Sequence, residues 1–582
     1  MSETDAKVAP PEEPPLPDAL VLGGAFPAAT REQWRAEVAK VLAKRGPAPD
    51  DVEDALSTDV AGLRVRPLHT AADAPASALR PTRAGGWDVR ARQAHPDPRT
   101  AAAQALEDLE GGAGSLWLVV GEGGVPVDGI AAALEGVLLD LAAVAVDAGA
   151  LFAVAADAAL AAGVQRGTLG ADPVAVLART GALPEEAAAY ALAARCAGTG
   201  VRAMTVDALP FHEAGATAAQ ELALSLSAAV HYLRAGVAPD QLEFRFAATA
   251  DQFLTIAGLR AARRLWARVL EASGLPDAPQ VQHAVTSWSM TTTRDPYVSV
   301  LRGTTACFAA GVGGADSVTV LPFDAALGQP DALARRIARN TSALLVEESH
   351  VAAVTDPAGG SWYVERLTDD LAQAAWAAFQ DVERAGGVVA GLQDGSVAAL
   401  LEASRTAQLE RLAHRTAAVT GVSEFPFLDE KPVVREPAPA LPGGGLPRVR
   451  WAERHEALRD RADRHLAATG RRPTVLAVTT GAVRTHVARL DYVRNLLAPG
   501  GVVVDAVDRD DLPAQVPPVV VLVAADDVAP DEALVEALRS RGATRVLRAG
   551  RGRDWPVDGY VFVGCDALAV LQQTADDLGV AP

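Results

Sequence analysis

Cysteine is scarce in this chain of 582 residues: there are three, Cys196, Cys307 and Cys565, far apart and in no Cys-x-x-Cys arrangement. That spacing argues against a disulfide framework and a structural zinc site, so no metal site is expected, and a reducing cytoplasmic setting fits. Positive charge is also short, with 53 Lys and Arg against 73 Asp and Glu and a formal net charge of -20. Phosphate backbones are held by clustered Lys and Arg, so a nucleic-acid partner is not expected. The segment Met1 to Pro17 is acidic and Pro-rich and lacks the basic start and apolar stretch of a signal peptide. Uninterrupted apolar runs are missing too. The longest Ala-rich stretch, Val137 to Ala162, is broken by Asp140, Asp147 and Asp157, so no membrane span is expected.

What is present is apolar material for a large core, with hydrophobic residues at 49%. The length points to two or three domains. Residues Thr30 to Arg45 show helical periodicity with Thr30 as N-cap. From Ser115 strands and helices alternate. Strands are expected at Ser115–Val120, Leu151–Ala155, Val201–Val206, Leu242–Ala247, Gln280–Trp288 and Ser317–Leu321, and helices at Val127–Val144, Glu185–Cys196, Glu213–Arg234, Gln252–Ser273, Val298–Gly311 and Pro330–Glu347. Such repetition over about 350 residues implies a parallel sheet with helical crossovers, either a closed (β/α)8 TIM barrel or an open doubly wound sheet.

The stretch Phe425 to Val449 holds six prolines and three consecutive glycines, which cannot continue a helix or a central strand. It marks a boundary. A charged helix follows at Trp451 to Thr469, and then the alternation restarts, with five strands between Thr474 and Val563 and a helix at Asp566 to Leu578. Five strands in about 110 residues suggest a flavodoxin-like α/β domain. The expected division is an arm and helix over 1–45, a barrel over 46–425, a linker and helix over 426–470, and a flavodoxin-like domain over 471–582.

Long motifs now resemble one family. Phe211 to Leu233 (FHEAGATAAQELALSLSAAVHYL), Ala250 to Gly274, Thr286 to Asp324, Arg335 to Thr368 and Thr420 to Pro426 are similar, in order and spacing, to the methylmalonyl-CoA mutase barrel. The resemblance implies a barrel that threads acyl-CoA along its axis and a C-terminal cobalamin-binding-type domain. It implies a radical rearrangement between succinyl-CoA and (R)-methylmalonyl-CoA started by adenosylcobalamin, as in propionate metabolism. It also implies a heterodimer in which only the large subunit is active.

The positions that matter in the active chain are degraded here. The family's cobalt-binding Asp-x-His-x-x-Gly falls on Ala482, Arg484 and Val487, or, one residue later, on Val483, Thr485 and Ala488. Arg is a permanent cation without an acceptor and cannot ligate cobalt. His486 has neither the flanking Asp nor the Gly and is expected at the surface. The His that the family places three residues before Glu-Ala-Gly-Ala is Pro210 here, with His212 next to Glu213. The family's wedging Tyr falls among Ala84 to Gly86, beside a surviving Trp87 and Arg90. Counting back from Trp288, the family's cofactor-facing His and Gln become Gln282 and Ala284, which puts His283 on the opposite face. Four clusters are degraded while the packing motifs around them persist. The expectation is a degenerate, non-catalytic small subunit without catalytic or cofactor-binding residues of its own, with Trp87, Arg90, His212 and Gln282 as a vestigial pocket. Its expected partner is a homologous large subunit that holds adenosylcobalamin and the acyl-CoA. The alternatives are a subunit of a related acyl-CoA mutase, an active mutase in its own right, or a CoA-binding module without chemistry.

Overall fold

The structure is a computed structural model that describes residues 27, 29–44, 46, 49–60, 62–73, 75, 85–552 and 555–581. Two compact units divide the chain, one of residues 1–60 with 64–68 and one of 61–63 with 69–582. Of the expected arm and helix over 1–45, residues 1–26, 28 and 45 lie outside the described residues.

In the first unit, helix Arg31–Leu42 opens with a capping box. The Thr30 hydroxyl accepts from the Gln33 N–H at 3.2 Å, and the Gln33 side chain accepts from the Thr30 N–H at 2.8 Å. Helix Val52–Leu56 is tied to it by Glu53, which takes Arg31 at 2.5 Å and Arg35 at 3.1 Å. Strands β1 (Thr58–Val60) and β2 (Leu63–Val65) make a two-stranded ribbon.

The second unit is built on a closed barrel of eight parallel strands: β3 (Asp88–Gln93), β4 (Ser115–Val119), β5 (Ala143–Asp147), β6 (Gly167–Ala171), β7 (Val201–Asp207), β8 (Leu242–Ala248), β9 (Val281–Thr286) and β10 (Ser317–Thr319). β10 pairs with β3 and closes the ring, so the barrel alternative holds and the open sheet falls. Helices cover the outside. Helix Gln252–Ala272 buries Ile256, Leu259, Leu265 and Leu270, and its Trp266 packs edge-on against Phe244 of β8.

Barrel strands β3, β5 and β6 were not among those expected. The segment read as helix Val127–Val144 and strand Leu151–Ala155 is instead a short turn and helix Ile130–Ala133, strand β5, and helix Phe152–Ala161. An Ala-dominated run supports either element, and burial on both faces decides for strand at Val144 and Val146. Strand β6 was not expected because two of its five residues are glycine. Gly167 and Gly170 sit at φ 111° and 69°, where a side chain would strike the carbonyls of Val144 and Val146 on β5. Glycine is what lets these two strands approach.

Beyond the barrel, residues 428–450 contain no helix or strand, yet they are docked along its loops. Arg435 pairs with Asp324 and Asp331, Leu446 N–H donates to Ala178 O at 2.7 Å, Val449 N–H to Glu213 O at 2.9 Å, and Trp451 N–H to Ser289 O at 2.8 Å. Helix Glu453–Thr469 leads into a parallel sheet of β11 (Thr474–Thr479), β12 (Val503–Asp508), β13 (Val519–Val523), β14 (Arg545–Ala549) and β15 (Gly559–Val561). Its order, β12-β11-β13-β14-β15, is that of flavodoxin-like sheets. Alternate residues feed two cores, Val475, Ala477 and Val521 on one face and Leu476, Val478 and Val520 on the other.

Candidate functional site

In a (β/α)8 barrel the reactive groups stand on the inward face and at the C-terminal ends of the strands. Here that space is occupied by the chain's own charges. Arg90 of β3 reaches across to Glu243 of β8, with Nη1 2.7 Å from Oε1, while its Nε donates to Ser115 Oγ at 3.1 Å. Arg245 of β8 donates to Asp147 of β5 at 2.9 Å and Asp207 of β7 at 3.1 Å. Arg179 adds a second cation to Asp207 at 2.5 Å. His283 of β9 accepts from Arg245 Nε at 3.3 Å, so its Nε2 carries the proton and donates to Thr319 Oγ1 at 2.8 Å. Burial, reinforced by Arg90 and Arg245, holds this imidazole well below its ordinary pKa and therefore neutral. Trp117 of β4 lies against the same group, with the Arg245 guanidinium 4.4 Å from its ring centre and the His283 ring edge-on at 5.5 Å. Toward the C-terminal end, Val119, Ala145, Leu209 and Val285 join Trp117 in an apolar plug, with Ala247 and Leu321 packed on it.

The residues singled out from the sequence scatter around this lumen. Pro210 is buried in the short helix Leu209–Glu213 that follows β7, beside the plug residue Leu209. His212, in the same helix, is bonded on both nitrogens, Nδ1 to Glu221 at 3.1 Å and Nε2 to Ser287 Oγ at 2.7 Å. Burial works against its charged form, but Glu221, with Glu213, more than offsets this and raises its pKa. Trp87 is buried with its Nε1 donating to Ser342 Oγ at 3.1 Å. Arg90 stands in the lumen, paired as described. Of the stretch where the family's Tyr falls, Ala84 lies outside the described residues.

The face expected for β9 is corrected. Gln282 points away from the lumen, where its amide takes Arg263 at 2.6 Å and donates to Leu259 O at 2.9 Å, and Ala284 shares that side. His283 and Val285 point inward. Strand alternation leaves Gln282 and Ala284 on the helix-covered side of the sheet.

In the C-terminal domain, open sheets of this order take ligands beyond the carboxyl ends of the strands, at the switch between β11 and β13. Ala482 is the N-cap of helix Val483–Leu497 and offers no side-chain cap. Arg484 is exposed, and Val487 is 40% exposed. His486, the only histidine between Arg471 and Pro582, is not at the surface. It is 6% exposed, one turn from Leu490 on the helix face that packs on the sheet. The 3.6-residue helical period carries it inward, to the side of Leu490 and Val493. Arg489 spans the crevice instead, donating to Ala524 O beyond β13 and pairing with Asp526 at 2.5 Å. A cobalt ligand needs an imidazole lone pair aimed out of the domain. The residues present do not fit that group. Among the described residues no cluster of His, Cys, Asp and Glu could hold a metal ion, and no helix is long and apolar enough to cross a membrane.

The lumen charges Glu243, Arg245, Asp147 and Asp207 were missed from the sequence. Their signal was present: Glu243 and Arg245 alternate with apolar residues in the strand LEFRFAA, which places both on one face.

A family model and similar curated proteins name one family. The family model described as Methylmalonyl-CoA mutase matches residues 120–463. The chain is 53% identical to a protein of Streptomyces virginiae named methylmalonyl-CoA mutase small subunit, over 97% of this chain and 99% of that one. It is 35% identical to the protein of the same name from Propionibacterium freudenreichii subsp. shermanii, over 100% of both chains.

Proposed function

The chain belongs to the methylmalonyl-CoA mutase family, and we propose that it is the small, non-catalytic subunit of a heterodimeric, adenosylcobalamin-dependent mutase. In this reading the homologous large subunit carries Asp-x-His-x-x-Gly, binds the cobalamin and the acyl-CoA, and interconverts succinyl-CoA and (R)-methylmalonyl-CoA. This chain supports it in the cytoplasm, as part of an isomerase. The division at 45, 425 and 470 into arm, barrel, linker and C-terminal domain belongs to the same reading.

The observation that carries it is the filled lumen. An acyl-CoA thread along the barrel axis would have to displace the ion pairs of Arg90 with Glu243 and of Arg245 with Asp147 and Asp207, all of them buried or nearly so. Separating such pairs inside a protein costs several kcal/mol, about 3–5 for each partner removed. A CoA-binding module needs the same space, so the lumen speaks against that alternative as well. Arg484, Val487 and the inward-turned His486 support the cofactor's place on the partner.

Co-expression tests the reading. This chain is produced alone and together with a homologous chain that bears Asp-x-His-x-x-Gly. A stable one-to-one complex that turns over methylmalonyl-CoA, with no turnover by this chain alone, is expected. Turnover by the isolated chain with added adenosylcobalamin contradicts it.

A further inference from the structure

Ion pairing is incomplete at the C-terminal mouth of the barrel. Four guanidinium groups meet there, those of Arg92, Arg179, Arg245 and Arg448, and three carboxylates, those of Asp147, Asp207 and Glu213. Arg245 and Arg179 share Asp147 and Asp207, and Arg448 takes Glu213 at 2.7 Å while lying 3.9 Å over the Trp288 ring. Asp172, the next carboxyl outward, is engaged by the Tyr232 hydroxyl and two backbone N–H groups and touches no guanidinium. His212 is matched by Glu221. Below, Arg90 is matched by Glu243, and Asp88 takes the Ser115 hydroxyl. Arg92 is left over. Its side chain is partly buried, its guanidinium lies 5.4 Å from the centre of the Trp117 ring, and among the described residues it has no hydrogen bond or ion pair.

Two further donors at the same indole lack acceptors. Arg245 Nη2 and Trp117 Nε1 are both buried without a hydrogen-bond partner. A buried donor left without an acceptor is costly, and more so if charged. Two buried donors without partners and one unpaired, partly buried guanidinium around one ring suit an acceptor that carries negative charge. We infer that the mouth of the barrel holds a small oxyanion, a carboxylate or a phosphate, between Arg92 and Arg245 against Trp117. The flat guanidinium forks suit two-point contact with such an anion, and the surrounding Val119 and Leu209 keep bulk water from screening it. Burial, aided by Arg448, lowers the Arg92 pKa to about 10, which leaves it charged at neutral pH and ready to take the anion. The site rests on the lumen's geometry alone and stands whether or not the chain is catalytically silent.

The test uses the full chain. Its melting temperature is followed as inorganic phosphate or malonate is added at constant ionic strength, for the unmodified protein and for Arg92→Gln, and crystals of the unmodified protein are soaked in bromide. A saturable rise with either anion, weakened about tenfold or more by Arg92→Gln, is expected, since a bond to a charged group contributes about 1.5–3 kcal/mol. The tighter of the two anions tells phosphate from carboxylate. An anomalous bromide peak beside Arg92 and Arg245 supports the site even if Arg92→Gln does not fold. Equal stabilisation of both proteins, or density at Arg92 and Arg245 Nη2 that holds water only, overturns it.

Discussion

Arg90 and Glu243, 153 residues apart in sequence, meet across the barrel lumen with Arg90 Nη1 2.7 Å from Glu243 Oε1, and both side chains are almost wholly buried. The pair stands where a ligand threaded along the axis would pass. Its desolvation cost is offset only by mutual attraction and by Ser115, so each partner makes the other tolerable.

Removing one partner is therefore costly. Glu243→Gln leaves the Arg90 cation buried without its carboxylate and is expected to lower unfolding stability by about 3–5 kcal/mol, read by urea denaturation. Replacing both, with Arg90→Met and Glu243→Leu, recovers most of that loss. A double variant as unstable as the single one would show that the pair is not the origin of the loss.

Polar side chains added at the lumen are not expected to give chemistry. Pro210→His with Val285→Gln adds two of them at the barrel's C-terminal end, but the lumen still holds Arg245, Asp147, Asp207 and Trp117. No turnover of methylmalonyl-CoA by the isolated double variant is expected, in an assay with adenosylcobalamin supplied.

Asp172 gives the stability a pH signature. Burial raises its pKa from 3.8 to about 7, a push that the bond from Tyr232 only partly opposes. The folded state thus keeps a proton that the unfolded state gives up. Between about pH 4 and 7 the unfolded chain binds fewer protons, so this group's contribution to stability falls as pH rises through that window. Asp172→Asn is expected to flatten that part of the stability profile, measured by denaturation at a series of pH values.

Gly170 is needed for its backbone. At φ 69° and against the Val146 carbonyl, an added methyl group meets both a left-handed conformation and a collision with backbone. The conformation alone costs about 1–2 kcal/mol. Gly170→Ala is expected to lower the melting temperature by more than this, or to abolish soluble expression, whereas Gly198→Ala, also at positive φ but with open space around it, is expected to show the conformational cost alone.

Much of the fold was legible because buried parallel strands read as apolar runs separated by helical periods, as at Ser115–Val119 and Val519–Val523. The strand Gly167–Ala171 was not, because its two glycines serve a close approach between neighbours that lie apart in sequence. The residue types at Pro210, Arg484 and Val487, which carry no cobalt-ligating group, were legible whatever the fold. The orientation of β9 was not, since counting back from Trp288 does not fix which face of the strand a residue takes, and it is His283 rather than Gln282 that turns inward. His486 was misplaced for a related reason: its lack of motif partners says nothing about which side of a helix it occupies. The lumen network lay hidden in its long sequence separations, because Arg245, Asp147 and Asp207 meet only once the barrel closes.

The most direct measurement is a titration of the isolated chain with adenosylcobalamin, followed by absorbance for the spectrum that marks a histidine bound to cobalt. With Arg484 and Val487 exposed and His486 turned into the domain, no stoichiometric binding and no histidine-ligated spectrum are expected. Tight one-to-one binding with that spectrum would contradict a non-catalytic subunit.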